Sequence, residues 1–234
     1  MMNRFWNWKA NEDTGEEALE LKGPIAEESW WGDEVTPAAF KAELAKRAGK
    51  DITVWINSPG GDVFAASQIY TALMEHKGNV TVKIDGYAMS AASVIAMAGT
   101  PVMMSPTAIL MVHNPWGVAI GNADEMEHMA EVLGEVKETI MNAYEIKTQL
   151  PRKELSKMMD NETYMNPKKA LEKGFIDEIL YMESQDDAQS YAFSRMAVYN
   201  SLRDKVQSVP PKVRAEPEPD TEALKAKLEL LVNL

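Results

Sequence analysis

Two strand–turn–helix phrases in succession limit what this chain can fold into more than any other feature. Asp51-Ile-Thr-Val-Trp-Ile-Asn57 is an apolar, β-branched run that stops at Ser58-Pro-Gly-Gly61. From Asp62 to His76, Val63, Ala66, Ile69, Tyr70, Leu73 and Met74 then recur at helical spacing, and Gly78-Asn79 closes the helix. Val80–Asp85 repeats the strand, and Ser90–Ala98 repeats the helix in small residues. Strands that alternate with helices predict an α/β domain built on a largely parallel sheet.

The flanking segments extend the same grammar. Glu17–Ile25 alternates like a strand and ends at a Gly-Pro turn, and Thr36–Ala48 is a helix capped by Thr36 with Pro37 at its first position. Further strands are expected at Pro101–Ser105 and Ala108–His113. A long helix should run from Ala123 to about Leu150, opened by Asn122 or Asp124, with a shorter one from Pro151 to Met159. Asn166–Gly174 has the asparagine cap and terminal glycine of a third, and Phe175–Tyr181 has the pattern of a last strand.

Residues 1–16 show no periodicity and form an N-terminal extension to a domain over 17–200. Pro210, Pro211, Pro217 and Pro219 beside Glu216, Glu218 and Asp220 mark 201–220 as a linker. Leu224, Leu228 and Leu231 share one helical face in 221–234, which is either a short helix or a disordered tail.

Charge and composition remove several classes of function. With 36 acidic against 24 basic residues the net charge is −12, which opposes binding to nucleic acid. There is no cysteine, so a thiol nucleophile, a disulfide framework and a thiolate metal site are all excluded, as suits a reducing cytosol. No metal or other cofactor is expected. The start of the chain lacks the long apolar run of a signal peptide. The most apolar stretch, Ala88–Met104, is broken by Ser90, Ser93, Gly99, Thr100 and Pro101, so a soluble cytoplasmic protein is expected.

Three phrases carry chemistry. Ser90, in Gly86-Tyr-Ala-Met-Ser90-Ala-Ala-Ser93, stands between a strand and a helix, where a nucleophile is exposed and the helix N-terminus favours developing negative charge. A plain helix cap is the competing explanation for that serine. Gly60-Gly61 allows backbone angles closed to other residues, so an amide there can turn toward a substrate carbonyl. Parallel strands would bring both turns to one sheet edge, and the amides of Gly61 and Ala91 would then form an oxyanion hole. Among the three histidines, His76 and His128 sit in polar helical stretches, whereas His113 leaves the buried run Ile109–Val112, which makes it the candidate base. Asp160 and Glu162 both offer a carboxylate between helices, and spacing does not choose between them.

Taken in order, Asn57–Gly61, Gly86–Ser90 and Met111–Pro115 resemble the Asn-Ser-Pro-Gly-Gly, Gly-x-Ala-x-Ser and Met-x-His-x-Pro motifs of the Clp protease proteolytic subunit family, within the ClpP/crotonase fold. The likeness covers about residues 18–182, through the long helix after His113 and Ala170-Leu-Glu-Lys-Gly-Phe-Ile-Asp177. It implies stacked ββα units with a protruding handle helix, and a serine endopeptidase with Ser90 as nucleophile, His113 as base, and Gly61 and Ala91 as oxyanion donors. The acid two positions before an aromatic becomes Glu162, where the family usually has aspartate, with Asp160 as alternative. Gly117, Val118, Ala119 and Ile120, within Trp116–Gly121, resemble the strand that pairs with an extended peptide substrate.

The resemblance further implies homo-oligomeric rings, heptameric or stacked, that act on peptide or protein. Gly23-Pro-Ile-Ala-Glu-Glu-Ser-Trp-Trp-Gly32 is more similar to phage head-maturation proteases, which process capsid or scaffold proteins in the host cytoplasm or the assembling capsid. Docking of a Clp-type ATPase is left open. The sequence has no phosphate-binding loop, so any ATP would be used by a partner. Two further readings stand beside this one: a crotonase-like acyl-CoA enzyme on the same fold, and a latent shell or scaffold component.

Overall fold

The structure, a computed structural model, describes residues 8–10, 17–28 and 35–182. The chain divides into one compact unit over Met1–Met182 and a second over Glu183–Leu234. The linker and terminal helix expected after residue 200 lie outside the described residues.

In chain order the elements are β1 (Trp8–Ala10), β2 (Glu17–Lys22), α1 (Pro37–Ala45), β3 (Ile52–Ser58), α2 (Val63–Met74), β4 (Val80–Met89) and α3 (Ala91–Ala96), followed by β5 (Val102–Met104) and β6 (Ile109–Val112). The long α4 (Ala123–Thr148) comes next, then α5 (Arg152–Asp160), β7 (Thr163–Met165), α6 (Pro167–Glu172) and β8 (Glu178–Ile179). The main sheet has the order β1-β2-β3-β4-β5-β8, and β6 joins β4 on one side and β7 on the other. The pairs β2–β3, β3–β4, β4–β5, β4–β6 and β5–β8 are all parallel. This is the α/β architecture expected of the stacked ββα fold.

β4 is longer than its sequence suggests. The expected strand ended at Asp85, but the observed one continues through Gly86 to Met89. Its register with β3 shifts between Ile56 and Ser58, the mark of a bulge. Before the bulge, Val82–Ile84 pair with Val102–Met104; after it, Tyr87–Met89 pair with Ile109–Met111. One strand therefore serves two neighbours and delivers Ser90 beside β6.

Burial explains the pairing. Val54, Ile56, Val82, Ile84 and Leu110 are essentially inaccessible, and removing each such side chain from water contributes about 1.5–3 kcal/mol. Met74, counted on the apolar face of α2, instead faces outward. The last strand is also shorter than expected, since only Glu178–Ile179 pair, although Phe175 and Ile176 remain buried. Asp177 joins the two ends of this region, accepting from the Val102 amide at 2.6 Å and from Lys147 Nζ at 2.5 Å.

α4 opens with a reciprocal cap between Asn122 and Glu125. Its first half is largely exposed, and its second half is anchored through Ile140, Met141, Ala143 and Tyr144. A helix so arranged projects from the domain like a handle. Among the described residues, no helix is long and apolar enough to cross a membrane.

Candidate active site

The capping explanation for Ser90 fails on geometry. Ser90 precedes α3, but its side chain makes no cap hydrogen bond, and its backbone sits at φ 53°, ψ −127°. A non-glycine residue with such a φ is uncommon, and strained turns of this kind present nucleophiles at strand–helix junctions. The hydroxyl instead lies 2.7 Å from His113 Nε2. With the neutral ring protonated at Nδ1, Nε2 accepts the Ser90 proton.

Backbone contacts hold this pair in place. The Ser90 N–H donates to the Met111 carbonyl at 3.1 Å, which ties Ser90 to the strand that ends one residue before His113. The Ser90 carbonyl accepts from the Ser93 N–H at 2.9 Å and from Ser93 Oγ at 2.6 Å.

The glycine turn packs directly on this corner. At Gly60, φ is +93°, and an added Cβ would lie 2.6 Å from the Met89 oxygen, 2.7 Å from Ser90 Cβ and 2.9 Å from the Ala91 nitrogen. Gly61 is pressed equally hard against Ile25, whose N–H donates to Gly60 O and whose carbonyl accepts from Asp62 N–H, both at 2.8 Å. Ser58, fully buried, supports the turn by donating to the Gly23 carbonyl and accepting from the Gly60 N–H. None of the described hydrogen bonds uses the N–H of Gly61 or of Ala91, the latter at the first helical position where no intrahelical partner exists. Both residues line the same cavity as Ser90 and His113.

The other histidines lie elsewhere. His128 is exposed beside Glu131, whereas His76 is half-buried and bonded through Nε2 to the Lys50 carbonyl at 2.7 Å, so it is less solvated than its polar neighbourhood suggested.

The two candidate acids are engaged with other groups. Glu162, at φ 44°, accepts from the Tyr164 hydroxyl at 2.8 Å. Asp160 accepts from Lys137 Nζ at 2.6 Å and Asn114 Nδ2 at 2.9 Å, and the Lys137 contact above all holds its carboxyl below the ordinary range. Among the described residues neither carboxylate hydrogen-bonds His113. In the antiparallel pairing of β6 with β7, Leu110, Met111 and Val112 face Met165, Tyr164 and Thr163. The pairing stops there, and Glu162, the next residue, leaves strand geometry at φ 44°.

The cavity measures about 580 Å³. One wall is a stripe of α4 (Met129, Val132, Leu133, Val136, Ile140) and another comes from Val63 and Phe64. The helical spacing of that stripe was visible in the sequence, but nothing there said that it would face Ser90. Trp116–Ile120 leaves the cavity rim as an exposed segment with no ladder partner, Trp116 at 76% and Ile120 at 94% exposure. It is not a strand. No group of three or more His, Asp or Glu side chains converges as a metal site would need, among the described residues.

Comparison with known proteins gives two concordant findings. Residues 38–183 match the family model described as Clp protease. The chain is 32% identical over 133 residues to the ATP-dependent Clp protease proteolytic subunit of Deinococcus radiodurans, an alignment covering 56% of this chain and 65% of that protein. It is also 32% identical over 154 residues to the subunit of the same name from Porphyromonas gingivalis, covering 63% and 69%. About two thirds of each relative's length is thus spanned.

Proposed function

The chain belongs to the Clp protease family, and on that premise we propose that it is a serine endopeptidase with Ser90 as nucleophile and His113 as general base. The observation that carries this reading is the 2.7 Å Ser90–His113 contact at a strained, non-capping turn. Ser90 Oγ attacks the peptide carbonyl as its proton passes to His113 Nε2. The tetrahedral oxyanion is held by the Gly61 and Ala91 amides, and His113 returns the proton to the leaving amine. Water then takes the same route to release the acyl group.

Glu162 is the acid in this scheme. It adjoins Thr163, the partner of Val112, just as His113 adjoins Val112, and its carboxylate would exchange the Tyr164 hydroxyl for His113 Nδ1–H. Asp160, already neutralised by Lys137, serves the loop instead. Gly117–Ile120 receives an extended peptide by strand addition, which supplies the ladder partner it lacks.

The protein assembles into homo-oligomeric rings through α4. Exposed Trp116, Val118 and Ile120 beside the open half of that helix favour association, because monomers seldom leave such a patch in water. Its substrate is capsid or scaffold protein of a phage-type particle, a reading supported by the phrase at Gly23–Gly32; any ATP is consumed by a partner.

The test is intact-mass detection of fluorophosphonate labelling. One adduct on the wild type, lost in Ser90→Ala and His113→Ala, is expected. No adduct on the folded wild type, or an adduct that survives Ser90→Ala, refutes the assignment.

A further inference from the structure

The nucleophile's carbonyl is bonded through a side chain to a residue of the handle helix. Ser93 Oγ donates to the Ser90 carbonyl at 2.6 Å and lies 2.8 Å from the Tyr144 hydroxyl. A serine hydroxyl has one proton, so its donation to Ser90 fixes the direction of the chain: Tyr144 O–H donates to Ser93 Oγ, and Ser93 O–H donates to Ser90 C=O. Ser93 is fully buried and Tyr144 nearly so. Burial raises the Tyr144 hydroxyl well above its ordinary pKa, so it stays a donor at any working pH. The Tyr144 ring is fixed in turn by an edge contact with buried Phe175, their centroids 5.6 Å apart.

We propose that Ser93 and Tyr144 are positioning residues for Ser90, a two-bond relay that holds the nucleophile turn in its strained backbone conformation and couples it to α4. The proposal rests on Ser90 being the nucleophile. Its physical basis is that φ 53° is costly for a serine and persists only where its surroundings over-determine it. The Ser90 N–H is fixed by β6, and the relay fixes the other end of the same residue. A handle that shifts its second half moves the Tyr144 hydroxyl, and the change reaches the backbone carbonyl of Ser90 across one side chain. Nothing in the sequence pointed to the pairing, since Ser93 and Tyr144 are 51 residues apart.

The experiment compares the fluorophosphonate labelling rate and thermal midpoint of the wild type, Ser93→Ala, Tyr144→Phe and the double variant. Ser93→Ala should slow labelling about tenfold and Tyr144→Phe about threefold, with the double variant no slower than Ser93→Ala, because the two hydroxyls act in series. Stability should follow another order. Ser93→Ala strands a buried tyrosine hydroxyl, and removing that hydroxyl too in the double variant should recover part of the lost midpoint without recovering rate. A labelling rate that rises with the midpoint in the double variant would reduce both residues to packing, and wild-type rates throughout would overturn the proposal. Tyr144→Phe removes a single oxygen, so its rate decides the matter even if Ser93→Ala folds poorly. A wild type that does not label, or labels away from Ser90, defeats the nucleophile assignment itself, which is a separate outcome.

Discussion

Replacing Gly60 with alanine would drive a methyl group into the turn that carries Ser90, and the cost can be worked from the contacts it meets. The backbone at φ +93° penalises any side chain by about 1–2 kcal/mol. The new carbon would also stand 2.6 Å from the Met89 oxygen and 2.9 Å from the Ala91 nitrogen, backbone atoms that cannot swing aside. Overpacking of this kind adds about 1–3 kcal/mol, for a total of roughly 2–5 kcal/mol. With a urea slope of about 2 kcal/mol per molar, the unfolding midpoint should fall by about 1–2.5 M. Any relaxation that admits the methyl must displace Met89–Ala91, so labelling at Ser90 should fall further than stability does. Gly134 is the control: it lies on the exposed half of α4 with nothing within 4 Å of an added Cβ. Gly134→Ala should stabilise the chain by about 0.5–1 kcal/mol through helix propensity. Urea titrations of the three proteins, with labelling rates in parallel, measure both effects. A Gly60→Ala variant with the wild-type midpoint and rate would show that the two turns do not touch as described.

Two more predictions concern the carboxylates. Glu162→Gln should lower the labelling rate at least a hundredfold while Asp160→Asn lowers it less than tenfold, since Glu162 adjoins the strand pair beside His113 and Asp160 is taken up by Lys137 and Asn114; the reverse order would transfer the acid role to Asp160. The Asp160 carboxyl is held below its ordinary pKa mainly by Lys137, that of Asp51 by the Asn79 backbone amide and side chain, and that of Glu17 mainly by Lys50. A group whose folded pKa is depressed lends stability in full above its unfolded value and loses it as pH falls through the folded one. The urea midpoint should therefore hold between about pH 5 and 7 and decline below about pH 4, and a midpoint that rises on acidification would contradict these pairings.

Local chemistry fixed much of this protein before any fold was known. Thr36 with Pro37, Asn122 of the two candidates Asn122 and Asp124, and Asn166 each start the helix their side chains announce, because capping involves atoms within three residues. The alternation of apolar strands with helices compelled a parallel sheet, and the parallel sheet compelled its turns to gather at one edge. Ser90, His113 and the glycine pair were legible for that reason.

What lay between them was not. The strand expected to stop at Asp85 runs on through Gly86, past a bulge at which β4 changes partners, since where a strand ends depends on what stands beside it. Phe175–Tyr181 had the pattern of a strand, yet only two residues found a neighbour. The position of Glu162 relative to His113 depends on how β6 pairs with β7, and the Ser93–Tyr144 contact needed α4 to fold back over α3. Sequence by itself determines which groups are present and how each short segment behaves, because those energies are local. Which distant groups meet within hydrogen-bond reach was decided only by packing, where a shift of one residue in register or a few ångströms in a helix changes the partner.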